Sequence, residues 1–347
     1  MNEITERSPK TTFRLFKRVV LWTTLFLSLI TIGIVVWLGS YAMGRNTDIK
    51  TDSVIIDIPP GTSVRGISAI LGESGLIKDD IRFLIFTRIL GVSGKLRAGE
   101  FAIATGKNPL EVIDLLVQAV PLQHSVTIPE GLKIEEIAEI FAGQGWCEAN
   151  EYIKLSRDPS FIEELGLGEM PSLEGYLYPD TYYLTRSKHG PRKLIEMQVK
   201  RFHTIWGELT KDLASAPDMA DTVTLASIVE KETGAPSERP LIAGVFHNRL
   251  QKGMRLQSDP TVVYGVEGAN GPITRSQLRA TTPYNTYVIP ALPVGPIANP
   301  GKDALHAVLN PAETKYLYFV SKNDGTHQFS TNLRDHNRAV QKYQRKK

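Results

Sequence analysis

The sequence predicts an α+β protein carried on a single N-terminal transmembrane helix. Three observations predict this: a charge-free apolar run at Val19–Gly44, a strand–turn–helix pattern that occurs twice, and an apolar helical stretch after Thr222 set among loops rich in Gly, Pro, Asn and Thr. A chain of 347 residues suits about two domains, each able to bury a core. Charged residues at 22% and hydrophobic ones at 42% are ordinary for a globular protein. The formal net charge of +3 comes from scattered residues, so no nucleic-acid partner is expected. One cysteine, Cys147, excludes an intramolecular disulfide and leaves the compartment to other signals.

The anchor sets the compartment. About 26 uncharged residues, at a rise of about 1.5 Å each, cover a hydrocarbon core of about 30 Å with some tilt. Trp22, Trp37 and Tyr41 suit the interfaces. A cleaved signal peptide has a shorter apolar region, although Gly39-Ser40-Tyr41-Ala42 resembles a cleavage site. Lys10, Arg14, Lys17 and Arg18 precede the run, whereas Arg45 and Lys50 after it are offset by Asp48 and Asp52. The positive-inside rule therefore leaves residues 1–18 as a cytoplasmic tail, 19–44 as the span, and the rest outside. In a bacterium this is the inner (plasma) membrane with the main domain in the periplasm.

Val54–Gly61 reads as a strand and turn, followed by a helix carrying Val64, Ile67, Ile70 and Leu71. About 70 residues later, His124–Gly131 and Ile134, Ile137, Ile140 and Phe141 repeat the pattern, both copies sharing Ile-Pro-x-Gly. The copies look like small α/β units, and the first resembles the LysM-type modules that bind N-acetylglucosamine polymers. A duplicated spacer without a ligand fits the pattern equally well. Residues 45–122 then form a membrane-proximal domain and 123–347 the main one, with the second unit at about 123–170. Between the copies, Leu96–Phe101 looks like a strand and Pro109–Val120 like a helix.

Glu151–Gly168 reads as one or two short helices. Leu173–Leu184 carries four tyrosines in an alternation that suits an extended strand. Such a strand either stacks on sugar faces in a groove or packs its rings into a core. Pro191–Leu209 is an amphipathic helix. Val223–Val229 begins a second helix with Glu230 and Glu232 at its polar end, where Thr233-Gly234 forms a C-cap. A further helix starts near Ser237, and Gln257–Thr261 is a polar turn. Ala304–Leu309 is a short helix, Tyr316–Val320 and His327–Ser330 a hairpin around Asn323-Asp324-Gly325, and Asp335–Tyr343 a final helix before a basic tail.

A carboxyl at the end of a buried helix can hold a proton near neutral pH, as a general acid requires. A glutamate there is otherwise a solvated residue, since Glu is seldom buried. Competing chemistry is missing from the sequence. It has no Gly-rich phosphate loop, no G-x-S-x-G elbow and no H-E-x-x-H, so no cofactor or metal is expected. His327 and His336 can meet in space, with a structural role the expected one.

Several long motifs then occur in one order: LEGYLYPDTY at Leu173–Tyr182, LASIVEKET at Leu225–Thr233, FHNRL at Phe246–Leu250, GMRLQSDPTVVYG at Gly253–Gly265, TPYNTY at Thr282–Tyr287, LPVGPIANPG at Leu292–Gly301, YLYFV at Tyr316–Val320 and TNLRDHN at Thr331–Asn337. With these the chain closely resembles the YceG-like (MltG-type) endolytic murein transglycosylase family. The resemblance implies a single-pass anchor, LysM-like α/β units, and a mixed catalytic domain with a lysozyme-like helical element and β-rich loops. It implies cleavage inside nascent peptidoglycan strands and a link to the peptidoglycan synthases. It also implies a catalytic Glu followed by Ser or Thr, which Glu232-Thr233 fits and Glu230 does not. Glu232 is then the acid and Glu230 its support. Glu174, Tyr176, Tyr178, Asp180, Asn248, Gln257, Ser258, Asp259, Tyr284, Asn285 and Tyr287 are the substrate-binding candidates on the shared motifs. A lysozyme-type hydrolase using Asp259 or Asp180 as second carboxylate is the main rival, and a non-catalytic wall-binding scaffold is another.

Overall fold

The computed structural model describes residues 9–45, 51–118, 120–186, 190–266 and 271–344, with side chains from residue 16 onward. The charges at Asp48 and Lys50, the side chains of Lys10 and Arg14, and the basic tail at 345–347 lie outside the described residues. The chain divides into two compact units: Met1–Gln123 with Thr185–Ser187, and His124–Leu184 with Lys188–Lys347.

The first unit begins with helix α1 (Pro9–Ala42), of which Phe16–Ala42 is long and apolar enough to cross a membrane. Strand β1 (Ser53–Ile58) then pairs antiparallel with β2 (Gly99–Ala104), Ile58 opposite Gly99 and Ser53 opposite Ala104. The expected strand at Leu96–Phe101 is thus shifted toward the C-terminus. Phe101 and Ile103 must point into the core, and Arg97 instead donates its amide to Leu116 O at 3.1 Å. Helix α2 (Val64–Glu73) is capped by Ser63, whose Oγ accepts from Gly66 N. Helix α3 (Ile81–Ile89) was not among the expected elements, because its apolar residues fall on more than one side and are interrupted by Arg82 and Arg88. Helix α4 (Pro109–Gln118) completes a core around Leu71, Phe83, Phe101 and Leu116.

In the second unit, β3 (His124–Thr127) pairs antiparallel with β4 (Thr181–Leu184). The second Ile-Pro-x-Gly copy is therefore part of the main domain through strand pairing. Helices α5 (Ile134–Gly143), α6 (Ala149–Leu155), α7 (Pro159–Glu164) and the long α8 (Pro191–Thr210) share one core. Of the expected tyrosine strand only β4 is extended. Leu173–Tyr178 turns instead, with Gly175 at φ +89°, where an added Cβ would lie 2.5 Å from Pro296 Cγ and 2.8 Å from Val223 Cγ1. No other residue fits that close approach.

Helix α9 (Met219–Glu232) runs through a second core, with every residue from Thr222 to Val229 buried. Such a helix is covered on all sides. Its end corrects one expectation: Thr233 is extended at φ −143°, its Oγ1 accepts from Ala235 N, and Gly234 is not a left-handed cap. A 3-10 turn (Pro236–Glu238) leads into α10 (Arg239–Gln251). Short helices α11 (Pro260–Val263) and α12 (Arg275–Arg279) interrupt the loops that follow. Helix α13 (Lys302–Leu309) packs on α9 and α10. The hairpin β5 (Tyr318–Ser321) and β6 (His327–Ser330), turning through Asn323 and Gly325 at positive φ, packs against α14 (Leu333–Tyr343).

Candidate active site

Glu232 is the last residue of α9 and half-buried. It lines a cavity of about 430 Å³ together with Arg249, Gln257, Asp259, Tyr287, the β5–β6 hairpin and α14. Dense protein surrounds the carboxyl while one side opens into that cavity. Ser258 Oγ donates to Glu232 Oε1 at 2.5 Å. Burial pushes the Glu232 carboxyl up to about 7; the Ser258 bond opposes this, the nearby Asp259 charge adds to it, and Arg249 opposes it. A carboxyl in this range is protonated often enough to give up a proton and, once ionised, basic enough to take one back.

Ser258 is held from several directions. Its amide donates to Thr286 Oγ1 at 2.9 Å, and Gln257 N donates to Thr286 O at 3.2 Å. Gln257 sits at φ +48°, a conformation that costs a non-glycine residue about 1–3 kcal/mol. Thr261 and Thr286 share a hydroxyl contact of 2.7 Å. Asn285, fully buried, donates Nδ2 to the carbonyls of Gln277, Leu278 and Ala280 and accepts from Tyr287 N. It shapes the loop from beneath and does not line the cavity. Tyr287 Oη donates to Asp259 Oδ1 at 2.6 Å, which holds that carboxylate at the cavity wall.

Glu230, two residues back, has a different setting. Its side chain is 7% exposed, Oε1 accepts from Arg239 Nη2 at 2.9 Å and Oε2 from Gly301 N at 3.0 Å. Both oxygens are occupied by donors. The residue ties the end of α9 to the start of α13. Arg239 also reaches Glu130 and Asp303, each at 3.6 Å.

Other expected residues are dispersed. Tyr176 and Tyr178 are buried in the α9 core, Tyr176 edge-on to Phe202 at 5.0 Å, so they pack where a groove position was one of two expectations. The turn at Leu173–Tyr178 is the cause, because it carries both rings under α8. Asp180 pairs with Arg201 Nε at 2.6 Å and does not line the cavity. Asn248 spends its amide on Thr314 O and Tyr316 O, fixing the segment before the hairpin. Glu174 is buried and accepts from Asn299 Nδ2 at 2.8 Å and Tyr264 Oη at 3.0 Å, and burial pushes it up to about 8. Tyr264 and Tyr284, with ring centroids 4.6 Å apart, line a separate cavity of about 700 Å³.

The structure adds residues the sequence left aside. Arg249 is buried, donates Nε to Leu317 O and Nη1 to Leu256 O, each at 2.6 Å, and lies over the Tyr318 ring. His327, bonded through Nδ1 to Glu238, and His336, stacked on Tyr318, both line the cavity. The available signal for Arg249 was its spacing from the apolar residues of α10, three after Phe246 and seven after Ile242, which puts it on the buried side.

A family model described as the YceG-like family matches residues 56–342. The chain belongs to the YceG-like family. Among its relatives is an endolytic murein transglycosylase of Bacillus subtilis, 32% identical over 330 residues, covering 88% of this chain and 90% of that protein. A protein of the same description from Streptococcus pneumoniae is 28% identical, and the match spans 58% of its length. A crystal structure of a YceG-like protein from Listeria monocytogenes superposes with a TM-score of 0.57 at 29% identity, covering 83% of this chain and 98% of that one. The match to the YceG-like family runs from β1 into α14 and takes in Glu232 and its cavity lining as far as Val340. Helix α1 lies before it.

Proposed function

We propose that this chain is a membrane-anchored endolytic murein lytic transglycosylase. It cleaves the bond between N-acetylmuramic acid and N-acetylglucosamine within nascent strands and leaves 1,6-anhydro ends. The observation that carries this reading is Glu232, a single carboxyl held near neutrality beside Ser258 in an open cavity. The names of the relatives support it.

Protonated Glu232 gives its proton to the bridging oxygen as the bond from that oxygen to muramyl C1 breaks. The muramyl 6-hydroxyl then closes on C1 and passes its proton to the Glu232 carboxylate. One residue serves both steps and no water is consumed. Ser258 and Arg249 stabilise the ionised form between the steps. Glu230 holds the helix end through Arg239 and Gly301. Asp259, bonded to Tyr287, places negative charge where the oxocarbenium-like sugar develops positive charge. Helix α1 crosses the plasma membrane with its N-terminus in the cytoplasm, and the first unit, read as LysM-like, holds glycan near the membrane. Cleavage there ends strand elongation beside the synthases.

A second reading rests on Asp259, which lines the same cavity as Glu232. As a second carboxylate it would make the enzyme a hydrolase, with the pair about 5–5.5 Å apart for retention or about 6.5–9.5 Å for inversion. Mass spectrometry of fragments released from purified murein separates the two. Anhydro ends are expected, and reducing ends would establish the hydrolase. A reporter fused after Lys347 is expected to be active only outside the cytoplasm.

A further inference from the structure

The membrane-proximal unit contains a helix whose outward face is exposed among the described residues. In α3, Phe83 and Thr87 point into the core of the first unit. Ile81, Ile85 and Ile89 follow at four-residue spacing on the other side, so they share one face. Ile81 is 63% exposed and Ile89 67%, Ile85 between them is half-buried, and Leu90 continues the patch at 51%. Single exposed isoleucines are ordinary, but an aligned stripe with nothing polar at its centre is not.

Its position says what covers it. Arg82, the second residue of α3, donates Nη1 to Trp37 O at 2.9 Å and to Ser40 Oγ at 3.2 Å, in the last turns of α1. Its guanidinium lies 5.2 Å from the Trp37 ring and 4.8 Å from the Tyr41 ring, while Asp80 grips its other side. Tyr41 is buried, stacks on Phe86 of α3 and donates Oη to Lys78 O at 3.0 Å. The 27 residues of Phe16–Ala42 make about 40 Å of helix, more than the roughly 30 Å of hydrocarbon. The Trp37–Tyr41 turn therefore falls at the outer interface, where Trp and Tyr are favoured. Helix α3 is fixed at that level.

We propose that α3 is a membrane-surface helix, its Ile81–Ile85–Ile89 stripe resting in the outer leaflet of the bilayer that α1 crosses, with Arg82 as the clamp between the two helices. Arg82 and Arg88 sit beside the stripe, as on helices that lie in an interface plane. The first unit is then held flat against the membrane and does not swing on a tether. This rests on α1 being a membrane span.

The test uses the full chain with Cys147→Ser, in vesicles of phosphatidylethanolamine and phosphatidylglycerol. An environment-sensitive fluorophore is placed at Ile81→Cys or Ile89→Cys, and at Ile30→Cys within α1 as a reference. Both α3 positions face outward, and each variant is first matched to its parent in thermal unfolding. Blue-shifted emission, loss of most of the signal to nitroxide-labelled lipid and protection from an aqueous quencher are expected at both α3 sites. If Ile30 is reached by lipid quencher while the α3 sites are open to the aqueous one, the proposal is overturned and the anchor stands. Protection from both quenchers means that a second copy covers the stripe, which also overturns it. If Ile30 is not reached by lipid quencher, the anchor itself is wrong.

Discussion

The two Ile-Pro-x-Gly copies begin alike and end in different surroundings. Gly61 and Gly131 both take positive φ, +81° and +75°. A Cβ at Gly61 would meet nothing within 4 Å, whereas at Gly131 it would lie 3.4 Å from Glu230 Cγ and 3.6 Å from Lys231 Cδ. Gly131 N donates to Asn299 O at 2.8 Å, and Lys231 Nζ donates to Gly131 O at 3.1 Å. The first turn only reverses the chain, while the second buttresses the helix end that presents Glu232. Local sequence sets the turn; the partner it meets sets its importance.

The largest expected effect lies at what the second turn supports. Glu232→Gln keeps shape but removes proton transfer, so release of anhydro-ended fragments should fall by about 10²–10⁴-fold or more while binding to murein strands survives. Full activity of this variant would remove the acid from Glu232, and full activity of Glu230→Gln as well would place it outside α9. Next, Gly131→Val and Gly61→Val both force a β-branched residue into the left-handed region, costing about 1–2 kcal/mol each. Only Gly131→Val should also cut turnover, because it displaces Glu230 and Lys231. Equal turnover losses in the two variants, corrected for the folded fraction, would break the comparison. Glu230→Gln should lower the rate less than Glu232→Gln and leave its pH profile in place. If it is the inactive member of the pair, the two roles are exchanged.

The remaining expectations concern pH dependence. The acid must begin protonated, so kcat/KM should fall as pH rises through about 7, the value to which Glu232 is raised. For Glu174 the folded value of about 8 exceeds its unfolded value of about 4.3. The native state then holds more protons between these limits, and unfolding free energy should decline as pH rises from about 4.3 to about 8. Urea titrations at several pH values should show a flatter decline in Glu174→Gln.

What the sequence made legible follows period and length. The apolar N-terminal helix, α8 and the strand–turn–helix order of both repeat copies have strong patterns, and these elements form where they were read, while α10 begins at Arg239 after a 3-10 turn. Helix α3 buries Phe83 and exposes Ile81 and Ile89, so apolar residues fall on two sides and the pattern does not mark the covered one. The tyrosine stretch showed alternation but not the turn at Gly175, and that turn decides that Tyr178 is covered. Glu230 and Glu232 differ through partners far along the chain. Arg239 and Gly301 donate to the first, and Ser258 donates to the second. Arg249 and His336 reach one cavity from positions about 90 residues apart, and no spacing rule anticipates that meeting.

The walls of the acid cavity are contributed in order along the chain, with the hairpin and α14 last. In a chain made from its N-terminus, α9 exists well before the segment that encloses its final residue. Until α14 docks, the cavity beside Glu232 lacks the wall that Leu333, His336, Val340 and Gln344 supply. A chain that ends before α14 keeps the Glu232–Ser258 pair but leaves it on an open face.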